Sequence, residues 1–202
     1  GANDSDSEGG AASGRKRTVR TRGGSDSKNS GPLSEADITE LGQEFRAAKG
    51  PIARRLIFGE MLKSLTVENA KLMRENIAHL PQDSPEFREF HYAWGSMAGK
   101  EAIDNGAKTP KRDMAASLSG WASTDPAAAM QYFNSLSEDA KNGGNYMKWG
   151  AVYGLADADP NLATEFAAER LANGDKDARK MIGIVADNVL RTGDPEVATA
   201  WA

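Results

Sequence analysis

Three Asp-Pro pairs, Asp125-Pro126, Asp159-Pro160 and Asp194-Pro195, each open an alanine-rich stretch that reaches an aromatic residue six positions after the proline. Pro126 to Pro160 is 34 positions and Pro160 to Pro195 is 35. A near-constant period of this length marks stacked helical hairpins, in which each unit buries its apolar face only against its neighbours. It predicts an all-α fold, an α-α superhelix of antiparallel helical hairpins forming a short solenoid. Proline directly after a capping side chain suits a helix start, because its fixed φ is already helical and its missing N–H would have lacked a partner there. Ser84-Pro85 and Thr109-Pro110 repeat the arrangement upstream. No segment alternates with period two, and Val and Ile are too thinly spread for a sheet. Roughly nine or ten helices are expected from residue 33 to the end.

Residues 1–32 are mostly Gly, Ser, Asp, Asn and basic residues, with Val19 the single large aliphatic. Such a stretch cannot bury enough apolar surface to offset the entropy of ordering, so a disordered tail is expected. Within it Arg15, Lys16, Arg17, Arg20 and Arg22 place five cations in eight residues. An electrostatic arm for nucleic acid or anionic lipid would have this charge, as would a localisation or cleavage signal. The run lacks interleaved aromatics, however, and Asp4, Asp6, Glu8 and Asp26 flank it, so a solvated linker is the favoured reading. The net charge of −4 gives no overall cationic field, and nucleic acid is not an expected partner. With no cysteine, disulfides and thiolate chemistry are excluded. No apolar run approaches the ~18–20 residues needed to cross a bilayer. The chain begins Gly-Ala rather than with Met, which reads as a start whose upstream residues were removed. That start, the charged leader and the absence of cysteine favour a periplasmic or otherwise exported bacterial protein over a cytoplasmic one.

Order is expected to begin at Ser34, an N-cap with Asp37 completing a capping box and Leu33 and Ile38 placed as a hydrophobic staple. Ile38, Leu41, Phe45 and Ala48 recur at helical spacing until Gly50-Pro51. A second helix, 52–64, carries Leu56, Ile57, Phe58, Met61, Leu62 and Leu65 as its inner side; Thr66 caps a third, with Met73, Ile77 and Leu80. Counting from each repeat proline, the third residue is Ala129, Ala163 or Ala198, the sixth Tyr132, Phe166 or Trp201, and the seventh Phe133, Ala167 or Ala202. These offsets share one helical face. Trp121, Leu155 and Leu190 stand four before each Asp, and Leu80 four before Ser84; Ser117, Ala151 and Ala186 stand eight before. Small residues facing bulky ones would let paired helices approach closely. Asn142-Gly143-Gly144 and Asn173-Gly174-Asp175 read as the looser turns. A divergent unit begins at Pro85, its extra length placed at 104–109.

Pro-x-x-Ala-x-x-aromatic at this spacing resembles the junction of tetratricopeptide repeats, over about residues 110–202. That family carries Gly four residues after the aromatic, where this chain has Leu136 and Arg170, so the resemblance is a degenerate one to the wider class of α-α hairpin repeats. It implies a scaffold that holds peptides or proteins in a groove, and it transfers no functional residue.

The residues themselves offer little site chemistry. Glu75 stands one turn before His79, but two ligands do not make a metal site and no further His or Cys would complete one. His91, between Phe90 and Tyr92, reads as a core histidine; catalysis there would need a pocket joining it to Glu89 or Asp104. Asp157/Asp159 and Asp175/Asp177 read as turn and cap residues. Gly143-Gly144 has no preceding strand and is no phosphate loop. No catalytic, cofactor or metal residue is therefore assigned. Tyr146, Trp149 and Tyr153 share a helix face; they read first as inter-helix packing and second as anchors lining a partner-binding groove. The expected function is a non-enzymatic scaffold for a protein or peptide partner. Its alternatives are a structural spacer in a longer envelope-associated protein and, behind that, an all-helical enzyme. The final helix from Pro195 has eight residues here, so Trp201 is either in a terminal cap or awaits a continuing chain.

Overall fold

Proline sets the helix starts. In a computed structural model, Pro51, Pro85, Pro126, Pro160 and Pro195 each occupy the first helical position of an element. The chain divides into Gly1–Gly31 and Pro32–Ala202, and the structure describes residues 32–108, 111–142, 146–192 and 195–201 of the second part. The tail with its Arg15–Arg22 run, Thr109-Pro110, Gly143-Gly144, Asp194, the Ala198 side chain and Ala202 lie outside the described residues. Among the described residues all regular structure is helical: α1 Glu35–Ala47, α2 Pro51–Lys63, α3 Ala70–Ile77, α4 Pro85–Ala98, α5 Lys100–Gly106, α6 Lys111–Thr124, α7 Pro126–Ser135, α8 Glu138–Asn142, α9 Met147–Ala158, α10 Pro160–Ala172, α11 Ala178–Thr192 and α12 Pro195–Trp201.

The caps follow from the side chains before the prolines. Ser34 and Asp37 form a full capping box, Ser34 Oγ accepting from the Asp37 N–H while the Asp37 carboxylate accepts from the Ser34 N–H at 3.0 Å. Ser84 accepts from Phe87, Asp125 from Ala128 and Asp159 from Asn161. Each satisfies an amide that the helix start would otherwise leave unpaired. Thr66 does something different from capping a helix. It exchanges reciprocal bonds with Asn69, α3 starts only at Ala70, and the helix stops at Ile77, leaving Leu80 in the following turn.

Twelve helices exceed the nine or ten expected because α5 and α8 are short helices in stretches that carry no strong periodic signal. The turn into α5 is made by Gly99 at φ 55, a left-handed conformation that favours glycine. Pro85 therefore opens a helix that packs on α6, and it is not the counterpart of Pro126, which opens the second helix of its pair. Helix α6 packs on α4 and α9, and α9 on α11; α5 packs on α6, α7 on α9 and α10 on α11.

The contacts of α4, α6 and α9 are made by backbone. A Cβ at Gly95 would overlap the Ser117 carbonyl oxygen, and one at Gly120 that of Tyr92; at Gly150 and Gly154 the obstructing atoms are the carbonyl oxygens of Ala115 and Ser119. Gly95 lies over Ser117 and Gly99 over Trp121, each pair 22 positions apart; Ala115 lies under Gly150 and Ser119 under Gly154, each 35 apart. Across all such contacts the offsets stay within 22–28 positions for α4 and α6 and 32–35 for α6 and α9, so these three helices run parallel. Small residues face small ones at Gly95–Ser117, Gly150–Ala115 and Gly154–Ser119, while Gly99 lies against the bulky Trp121 ring.

Two apolar clusters result. One gathers Ile38, Phe45, Phe58, Met61, Met73, Ile77, Phe90 and Trp94 from α1–α4. The other gathers Leu118, Phe133, Met147, Val152, Leu155, Phe166, Met181 and Val185 with buried alanines from α6–α11. Two expected core residues are exposed. Leu56 is 69% accessible, because it lies about 200° around the helix from Phe58, which with Met61 and Leu65 forms the buried stripe. Leu190 is 72% accessible, and Val189 and Val185 take the buried places. The reason is the 35-residue spacing: two residues separate α11 from Pro195, against one between α6 and Pro126 or between α9 and Pro160, so counting back from the proline lands one position off. Ala186 is correspondingly only half-buried, whereas Ser117 and Ala151 are fully buried.

The repeated aromatics keep a common direction. Tyr132 packs at a tilt against Trp121 at 5.6 Å and feels Asp104 and Lys100 of α5; Phe166 meets Phe133 of α7 edge-on at 5.5 Å; the Trp201 indole N–H donates to Thr164 of α10 at 2.7 Å. Each reaches back to the second helix of the preceding pair.

Candidate functional site

The glycine and alanine that bring α4, α6 and α9 together leave little side chain to fill the seam along α6. Above it runs a groove of about 600 Å³. Its floor is Ala115, Ala116 and Ser119 of α6, and one wall is Tyr146, Trp149 and Tyr153 of α9. The opposite wall is Tyr92 of α4, one turn after Arg88, and Arg191 of α11 closes one end. The three aromatics expected to share a face do so, and the structure brings all three to this groove. Tyr146 and Tyr153 are 46% and 49% accessible, while Trp149 is half-buried and also packs on the α6–α11 core. Tyr146 is the N-cap of α9 at φ 57, a left-handed conformation that costs a non-glycine residue about 1–3 kcal/mol.

Polar bonds tie the walls together. The Tyr92 hydroxyl donates to Asp157 at 2.8 Å, crossing from α4 to α9 over α6, and Asn188 of α11 donates to the other oxygen of the same carboxylate at 2.8 Å. Asp157 is thus a bridge between three helices, not the cap residue expected. Burial, reinforced by the adjacent Asp157 carboxylate, pushes the Tyr92 hydroxyl up to about 12, so it remains a proton donor at neutral pH. Tyr92, Arg88 and Arg191 were not legible as site residues, since no local pattern links three helices so distant in sequence.

No protein-family model, curated protein or solved structure matches the chain.

His91 is enclosed elsewhere. It is fully buried on α4, accepting at Nε2 from Arg74 Nε at 3.3 Å, while Arg74 also binds Asp113 at 3.1 Å. Guanidinium nitrogen can only donate, so the histidine proton sits on Nδ1, which has no partner among the described residues. Desolvation, helped by the Arg74 charge, lowers its pKa to about 3. Glu89 instead pairs with Arg55 at 2.7 Å and Asp104 with Lys100 at 2.7 Å, so the pocket that would join either to His91 is not formed. His79 is exposed beside the Phe45 ring, and no group of three metal-ligating side chains exists among the described residues.

A second cavity, of about 480 Å³, lies over an ion cluster. Buried Lys148 meets Asp175 at 3.1 Å and Asp177 at 2.8 Å, and Arg170 Nε donates to Asp175 at 2.7 Å. Arg170 also bonds Asn142 and lies over the rings of Phe166 and Phe133, at 5.5 and 5.8 Å. Burial pushes the Asp175 carboxyl up, but the Asp177 amide and the Arg170 and Lys148 cations outweigh it and hold the pKa at about 2. The Arg170 guanidinium, over both rings, joins α7 to α10. No helix among the described residues is long and apolar enough to cross a membrane.

Proposed function

We propose that helices α4–α12 form a short superhelical array of α-α hairpins, related in plan to tetratricopeptide repeats, and that the groove along α6 binds an extended segment of another protein. Parallel α4, α6 and α9, each backed by a helix that packs on the next, support the array. The observation that carries the binding role is the pairing of a small-residue floor with exposed tyrosines on α9. Large amphipathic rings at half exposure gain most from burial by a partner, since Tyr and Trp are the usual anchors of interfaces. An extended segment suits a shallow trough whose floor has no side chain deep enough to hold a helix apart from it.

Site-specific photocrosslinking tests this. A photoreactive residue at position 153, in the groove, should trap partner adducts from the native environment. The same group at exposed position 165 on α10 should not, and Trp149→Ala should erase the adducts at 153. Equal trapping at both positions, undiminished by Trp149→Ala, would refute the groove as the binding surface.

A further inference from the structure

We infer that the occupant of this groove is an acidic peptide segment of about six or seven residues, with carboxylates towards both ends and apolar side chains between; this rests on the groove reading above. The argument is charge placement. The two acids that line the groove are engaged: Asp113 binds Arg74, and Asp157 accepts from Tyr92 and Asn188. The two arginines that line it are not. Arg88 donates only to the Asp83 carbonyl, and neither Arg88 nor Arg191 has an ion-pair partner among the described residues. Both are exposed.

Their separation follows from helix register. The 22- to 28-position offsets between α4 and α6 set Arg88 level with the first half of α6. The Asn188–Asp157 bond and the 35-position offset between α6 and α9 set Arg191 level with the end of α6. At ~1.5 Å rise per residue the two cations stand roughly 20 Å apart along the groove. An extended chain covers that distance in about six residues, at ~3.3 Å each. Between the arginines lie Tyr92, Trp149 and Tyr153 over an alanine and serine floor, a surface that rewards apolar side chains, with the Asp157 carboxylate, held by the neutral donors Tyr92 and Asn188, as the one further charge of the lining. With Asp113 neutralised by Arg74, the lining sets Arg88 and Arg191 against Asp157 alone, so on a chain of net charge −4 this trough disfavours basic segments, which the rest of the protein would attract.

A random heptapeptide display library, selected on the whole chain, tests the inference without presupposing a partner. Selected peptides should carry Asp or Glu near both ends and aromatic or aliphatic residues between, and should bind more weakly as salt rises. Arg88→Ala and Arg191→Ala should each weaken them roughly two- to fivefold, as for partly exposed charge pairs, with the melting temperature unchanged. The double reversal Arg88→Glu/Arg191→Glu should redirect selection to Lys and Arg. Peptides that need Tyr153 but show no acidic preference and ignore both arginines would overturn the inference and leave the groove reading standing. No enrichment, or enrichment indifferent to Tyr153→Ala, would overturn both.

Discussion

The two halves of this protein hold their helices together by opposite means. In α1–α4 large side chains do it: Phe45 of α1 meets Phe58 of α2 at 6.0 Å, with Met61, Met73, Ile77, Phe90 and Trp94 fully buried around them. Stability there scales with apolar volume removed from water. Along α4, α6 and α9 the helices touch through Gly95, Gly120, Gly150 and Gly154, and stability comes from many close backbone contacts that immobilise no long side chain. A core built on volume can repack around a changed side chain. A seam built on approach cannot, because what a new Cβ would meet is main chain. The difference also places the α6 groove, for a seam of small residues leaves surface unfilled above it.

The comparison breaks first if the seam tolerates a side chain. Gly120→Val would drive methyl groups into the Tyr92 carbonyl and towards the Ser96 amide nitrogen. A loss above about 4 kcal/mol, or no cooperative melting, is expected by chemical denaturation; a variant within about 1 kcal/mol of the parent would discredit the seam. In the other half Phe45→Ala should cost about 3–5 kcal/mol, while Phe45→Leu should cost less than about 1.5 kcal/mol because the surrounding side chains adjust.

The joint between the halves is the buried Arg74–His91–Asp113 cluster, and pH probes it. The folded His91 pKa of about 3 lies below the ordinary 6.5, so the unfolded chain takes up the proton first. The stabilisation is complete above pH 6.5 and falls by about 1.4 kcal/mol per unit below it, or about 3 kcal/mol by pH 4.5. Denaturation midpoints across that window should show the slope, and His91→Gln should remove most of it; exposed His79, whose pKa is also lowered, contributes the remainder with the same sign. Asp175, held near 2, adds its own loss only below the normal aspartate range, outside this window. The smallest effect is a gain. Gly183 on α11 has open space around it, so Gly183→Ala should stabilise by roughly 0.5–1 kcal/mol in thermal melts, the opposite sign to the seam glycines.

Sequence carried the local structure well. Caps at Ser34, Ser84, Asp125 and Asp159 lie within a few residues of what they bind, so their side chains announce the helices directly. Burial at Ala129, Ala163, Phe166 and Ala167 followed from the repeat as well. Failures came where register or distance governs. Leu190 slipped because one extra residue lies after α11, and Leu56 because apolar character was read without its angle around the helix. Tyr146, Trp149 and Tyr153 were legible as a face, but Tyr92, Arg88 and Arg191 belong to the groove only through packing of α4 and α11. The missed signal was glycine inside helices. Gly150 and Gly154 stand one turn apart mid-helix, where glycine costs about 1 kcal/mol without a compensating reason, and that cost pointed to a close approach.

Glycine contact on both flanks has a consequence for how the chain breathes. Helix α6 cannot loosen by rotating side chains out of the way, since its main chain is what α4 and α9 rest upon. Amide hydrogens from Ser117 to Ala122 should therefore exchange with solvent only when all three helices open together, making this trio the slowest-exchanging block of the protein while α1 and α12 exchange through separate, cheaper openings.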